Sequence, residues 1–167
     1  MVEGSSRDDS DWGSRPALIV SACLLGVRCN HKGEANTNDA VIALRAAHRV
    51  VPICPESAGG LPTPRAEAQR QPDGTVRTAD GGDVTEWYER GAAHAVRLAE
   101  AVGATRAVLK ARSPSCGCHE IYDGSFTQER IEGEGVTAAA LRLPMPILFP
   151  DSVTTYACET SRAVEPP

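Results

Sequence analysis

Aromatic residues are scarce in this chain, with two Phe, two Trp and three Tyr making up 4% of 167 residues. A core must therefore be built from Ala, Val, Leu and Ile within an apolar fraction of 41%, which suits helices packed on a buried sheet. No apolar stretch approaches the roughly 18 residues of a membrane span, so no membrane partner is expected. There is no long basic run either: 17 basic residues face 22 acidic ones for a net charge of -5. That balance argues against duplex nucleic acid as a partner. The opening "MVEGSSRDDSDWGSRP" has neither an apolar segment nor a small-residue cleavage site and does not read as a signal peptide, so a cytoplasmic location is expected. Six cysteines are present without a compact CxxC pair. In a reducing compartment they are expected to be reduced, and structural, metal-binding or catalytic.

The length fits one domain. Residues 1–15 are polar and acidic and read as a disordered tail, residues 16–157 as the domain, and residues 158–167 as a second tail. "ALIVSACLL" should hold a first buried strand, followed by a helix in "TNDAVIALRAAH" with a Thr or Asn cap. "RVVPICP" reads as a second strand. The Gly- and Pro-rich stretch from Glu56 to Asp83 should contain no helix, and its "PDG" marks a tight turn or small hairpin. Asp83 opens a long amphipathic helix with Gly103 near its end. "ATRAVLKA" is a third strand, "EGVTAAALRLP" a helix stopped by Pro144, and "MPILFP" a fourth strand. This order predicts a single three-layer, Rossmann-like α/β domain: a mostly parallel sheet of about four strands with helices on both faces, plus a small hairpin or loop insertion. Ligands in such folds bind at the carboxyl ends of the strands, where strand order reverses.

Cys23, Cys54 and Cys116 each follow one of the first three strands. Neighbouring strands lie about 4.8 Å apart, so three short loops could bring these thiols around one metal centre. Any single intracellular Cys is more often a small buried apolar residue, but "CPESAGG" and "SPSCG" make a poor core and a good open site. Zinc would want a fourth ligand, for which Cys29, His31, Cys118 or His119 are candidates. A four-iron cluster held by three Cys would leave one iron open. Spacing alone leaves both readings standing, together with a non-catalytic zinc-stabilised domain and a thiol-redox pair of Cys116 and Cys118, which is sterically tight as a disulfide. Glu56, two residues after Cys54, is a candidate acid or base. Ser113 and Ser115 either shape a turn or orient a ligand or water. Lys110, Arg112 and Arg65 could receive an anionic group. Gly59, Gly60 and Pro62 and the "YDGSF" stretch read first as turns. His94 reads as an ordinary helix residue, and Cys29 and Cys158 as incidental.

Six motifs in order, "VSACLLG", "CPESAGGLPTPR", "GGDVT", "LKARSPSCG", "IYDGSF" and "GEGVTAAAL", resemble the thiouracil desulfidases known as TudS, long filed as domain of unknown function 523. The resemblance spans about residues 17 to 150. It implies an enzyme with an oxygen-sensitive [4Fe-4S] cluster on Cys23, Cys54 and Cys116, with one iron open to the sulfur of a thiolated uracil, base or nucleotide. It also implies Glu56 as the acid/base residue and Ser113 and Ser115 as active-site serines. The chain departs from the family pattern at "CNHKG" and "PRAEAQ", loops expected to border the substrate pocket.

Overall fold

The computed structural model describes residues 9–142 and 147–148. Four parallel strands form the central sheet: β1 (Ala17–Ser21), β2 (Arg49–Ile53), β5 (Arg106–Val108) and β8 (Ile147–Leu148), in the order β2-β1-β5-β8. Between them lie two antiparallel hairpins, β3 (Ala68–Arg70) with β4 (Val76–Thr78) and β6 (Glu120–Tyr122) with β7 (Arg130–Glu132). The helices are α1 (Asp39–Ala43), α2 (Pro55–Ala58), α3 (Thr85–Val102) and α4 (Val136–Arg142).

Strand β1 is buried along its whole length, as a central parallel strand covered on both faces must be. Its side chains alternate. Leu18 and Val20 pack with Leu24, Val41 of α1 and Val108, whereas Ile19 packs with Ile53, Leu109, Ala95 and Ala99 of α3, and Ala138 and Leu141 of α4. Small residues Gly91, Ala92, Ala95 and Ala99 form the buried stripe of α3, which lets backbones approach closely. A Cβ on Gly91 would stand 2.0 Å from the Pro55 carbonyl oxygen. β2 lies at the sheet edge, where Pro52 removes no ladder bond that a further strand would need.

Helix ends follow local chemistry. Asn38 caps α1 by accepting from the Val41 N–H at 3.2 Å, and the helix tightens into a 3₁₀ turn over Leu44–Ala46, so it is shorter than its sequence suggests. The Asp83 carboxylate accepts from the Thr85 N–H and hydroxyl at the start of α3, and Gly103 ends it with φ +65°. A helix does occur in the Gly- and Pro-rich stretch expected to exclude one. Pro55 occupies the first turn of α2, where its missing N–H costs nothing, and Gly59 closes that single turn. Within the acidic N-terminal stretch, Asp9–Ser14 form a 3₁₀ turn, and the Arg49 guanidinium lies 5.6 Å from the Trp12 ring centre. The fourth expected strand is described at Ile147 and Leu148; the Pro144 stop, Cys158 and residues 158–167 lie outside the described residues. Among those residues no helix is long and apolar enough to cross a membrane.

Candidate functional site

Strand order reverses at β1, which has β2 on one side and β5 on the other. The carboxyl ends of these strands are therefore the place for a ligand. A pocket of about 330 Å³ opens there, a size that suits a small molecule. Its lining includes Cys23 just after β1, Cys54 just after β2, Cys116 in the loop after β5, and Glu56 on α2.

Each thiol is held by its surroundings. Cys23 and Cys116 are buried and Cys54 is partly so, and none is in a disulfide. Burial pushes the Cys23 thiol up to about 11, with Cys54 adding to the shift and Lys110 opposing it. Burial likewise pushes Cys116 up to about 12, against a hydrogen bond from Ser21 that favours the thiolate. Ser21 can donate that bond because its oxygen already accepts from the Lys110 N–H at 2.9 Å. The Ser57 hydroxyl lies 3.3 Å from the Cys54 sulfur and donates to it. Among the described residues no three His, Cys, Asp or Glu side chains converge on one metal ion. A single ion with thiolate bonds of about 2.3 Å would require that convergence.

The Cys116 turn is built from Ser113, whose oxygen accepts from the Ser115 and Cys116 N–H groups at 3.1 and 3.0 Å. Its own hydroxyl points to Glu56 Oε1 at 3.5 Å, so it shapes the turn and lines the pocket at once. Ser115 does not reach the pocket lining. It is fully buried, its hydroxyl 2.9 Å from that of Thr137, and its carbonyl accepts from the N–H groups of Thr137 and Ala138 at the start of α4. Cys118 is not among the pocket-lining residues; it belongs to the same core cluster as Cys116, Ala138 and Leu141, with Arg142 Nη2 4.0 Å from its sulfur. The two cysteines of the CxC sequence thus share one core cluster, and Cys116 also lines the pocket.

Glu56 is fixed from several sides. Arg65, its side chain 6% exposed, donates from Nε to Glu56 Oε2 at 2.6 Å. The same guanidinium donates to the Cys29 and Pro62 carbonyls and the Thr63 hydroxyl, so four of its five N–H donors are committed to Glu56 and the loop. Burial opposes the Arg65 charge, but Glu56 outweighs it and raises the guanidinium above its ordinary value. Tyr88, buried on α3, is pushed upward by burial and by Glu56, which its hydroxyl reaches. Lys110 and Arg112 both line the pocket; Lys110 Nζ donates to the Ala111 carbonyl and Arg112 pairs with Glu120 at 3.0 Å.

Residues 29–32 and Arg65, Glu67 and Ala68 border the pocket, so both departing loops meet it. Cys29, read from sequence as incidental, is a pocket residue. Its carbonyl is 3.6 Å from the Cys54 sulfur, and burial followed by Cys54 pushes its thiol up to about 12. The signal for it was the Asn30 turn, whose side-chain oxygen accepts from the Lys32 and Glu34 N–H groups and folds the loop back. Ser21 and Tyr88 are further lining residues that sequence reasoning did not single out, whereas Glu67 and Tyr122 fall in stretches it had marked.

The family model described as 2-thiouracil desulfurase matches residues 18–152. The uncharacterized protein YbbK of Bacillus subtilis (strain 168) is 39% identical over 134 residues, covering 75% of this chain and 89% of its own. A solved structure, the [4Fe-4S]-dependent thiouracil desulfidase TudS, superposes with a TM-score of 0.77 at 42% identity, covering 83% of this chain and 93% of that one.

Proposed function

The chain belongs to the 2-thiouracil desulfurase family, and from that premise we propose that it removes sulfur from a thiolated uracil, base or nucleotide, giving uracil and sulfide. The observation that carries this reading is the convergence of three strand-end cysteines and Glu56 on one pocket at the sheet's switch point. The likeness to a [4Fe-4S]-dependent desulfidase supports the same cofactor here.

The donor set suits such a cluster. Soft thiolates are its usual ligands, and hydrogen bonds to their sulfurs tune it; the Ser57 and Ser21 hydroxyls supply these bonds at Cys54 and Cys116. Cys23, Cys54 and Cys116 would hold the cluster, and Cys118, which does not line the pocket, would not. When bound, it would supply Lewis-acid chemistry that polarises the carbon–sulfur bond of the substrate.

The reaction adds water across the carbon–sulfur bond, and the chain's own groups manage its protons. The water oxygen bonds to the ring carbon, that carbon's bond to sulfur breaks, and sulfur leaves as hydrosulfide, with no net oxidation or reduction. Glu56 accepts the first water proton and returns it to the leaving sulfur, then passes the second to solvent as the ring carbonyl forms. Arg65 holds one Glu56 oxygen, and Ser113 orients the other. Ser115 acts at one remove, anchoring the Cys116 turn to α4.

Anaerobic reconstitution tests the ligand set. Wild-type protein and Cys118→Ser should take up about four irons per chain and turn brown, whereas Cys23→Ser, Cys54→Ser and Cys116→Ser should not. A colourless zinc-loaded protein, or a Cys118→Ser variant that alone loses the iron, would contradict the assignment.

A further inference from the structure

The reaction described uses the thiols and Glu56, yet the pocket also has a carboxylate and an aromatic ring with no part in it, Glu67 and Tyr122. One buried side chain bonds to Glu67 and to the backbone of the loop that follows Tyr122. Gln69, at the centre of β3 and 1% exposed, accepts on Oε1 from the Gly124 and Phe126 N–H groups, both at 3.2 Å. Its amide nitrogen lies 3.4 Å from Glu67 Oε1. Gln71 adds a bond from Nε2 to the Gly124 carbonyl at 3.1 Å.

The loop held this way joins β6 to β7 and begins directly after Tyr122. It contains Phe126 at φ +62° and Gln128 at φ +69°, left-handed conformations that side chains rarely adopt. Gly124, at φ +91°, could not carry a Cβ without crowding the Arg70 carbonyl at 3.0 Å. Such conformations persist where the surrounding structure over-determines them, and they cluster at active sites and ligand clamps. Of the two tyrosines lining the pocket, Tyr88 is 2% exposed and engaged with Glu56. Tyr122 is half-buried and lines the pocket.

We infer that Tyr122 and Glu67 form the wall that recognises the pyrimidine ring: Tyr122 stacks on its flat face, Glu67 accepts a ring N–H, and Gln69 is the positioning residue that sets both. The inference rests on the thiolated-uracil reading and deepens it. A planar ring with N–H groups at its edge is recognised by an aromatic face together with a well-placed acceptor. Linking the two through one amide makes their positions interdependent.

The test compares wild type, Tyr122→Leu, Tyr122→Phe, Gln69→Ala and Glu67→Ala after anaerobic loading. Tyr122→Leu should raise KM about tenfold, the scale of one stacking contact, and change kcat less than about threefold, with wild-type iron content. Tyr122→Phe should recover most of that loss. Gln69→Ala should also raise KM, and adding it to Tyr122→Leu should cost less than the product of the two single effects, because both act through one ring. A Tyr122→Leu variant with wild-type KM overturns the inference. Calorimetric binding of uracil to the unloaded proteins separates the two claims. Wild-type binding that Tyr122→Leu weakens about tenfold supports the wall even if no sulfide is ever released, an outcome that would sink the desulfidase reading alone. Equal binding by both proteins, or none by wild type, overturns the wall.

Discussion

Replacing Arg65 by Met removes a cation whose side chain is 6% exposed and which donates to four acceptors: Glu56 Oε2 at 2.6 Å, the Cys29 carbonyl at 3.0 Å, the Thr63 hydroxyl at 3.1 Å and the Pro62 carbonyl at 3.2 Å. Glu56, 13% exposed, is left without its charge partner. Removing one member of a buried pair costs about 3–5 kcal/mol, most of it the penalty on the charge left behind. At about 2–4 °C per kcal/mol for a chain of this size, the melting temperature should fall by roughly 6–20 °C. Removing the stranded charge as well should undo much of this, so Arg65→Met with Glu56→Gln should melt above Arg65→Met alone. Arg65→Lys should fall between wild type and Arg65→Met, because it keeps the charge and loses the planar fork. The assay is thermal unfolding of the unloaded protein followed by circular dichroism, in reductant at neutral pH. Arg65→Met melting within about 2 °C of wild type, or a double variant no more stable than Arg65→Met, would refute the reasoning.

Gly91→Ala should destabilise the protein by about 1–3 kcal/mol or more, read from urea unfolding, because its Cβ would meet the Pro55 carbonyl at 2.0 Å and push α2, with Glu56, off α3. Ser113→Ala leaves the Ser115 and Cys116 N–H groups without their acceptor and should cost about 1–3 kcal/mol, together with a fall in kcat. At acid pH, the Asp83 carboxyl is held below its ordinary value, first by the Thr85 hydroxyl and then by the Thr85 N–H. A lowered folded value means that this contribution is present above the ordinary carboxylate range and is lost as pH falls through the lowered value. Stability measured between about pH 5 and pH 2 should therefore fall less steeply in Asp83→Asn than in wild type.

Strands β1, β2 and β5 were readable because each is a short run of branched aliphatic residues ending in a turn, and a buried parallel strand needs no more than that. The cysteines after them acquired meaning only from strand ends, which the sequence places within a residue or two. The single turn of α2 is not legible in the sequence because Gly59, Gly60 and Pro62 follow it at once, although Pro55 is an ordinary first-turn residue. The β6–β7 hairpin escaped notice because each arm is three residues long, too short for alternation to show. Ser115 and Cys118 were harder still. In the tight turn from Ser113 to Cys118 no helical or strand period relates one side chain's direction to the next, so a serine beside a pocket cysteine can face α4 instead.

The most direct measurement is the stoichiometry of products released by the anaerobically loaded protein supplied with thiouracil or its monophosphate. The account predicts equal amounts of uracil and sulfide from wild type, catalytically and without added reductant, and almost none from a Glu56→Gln variant with the same iron content. Sulfide without matching uracil, or full turnover by Glu56→Gln, would contradict it.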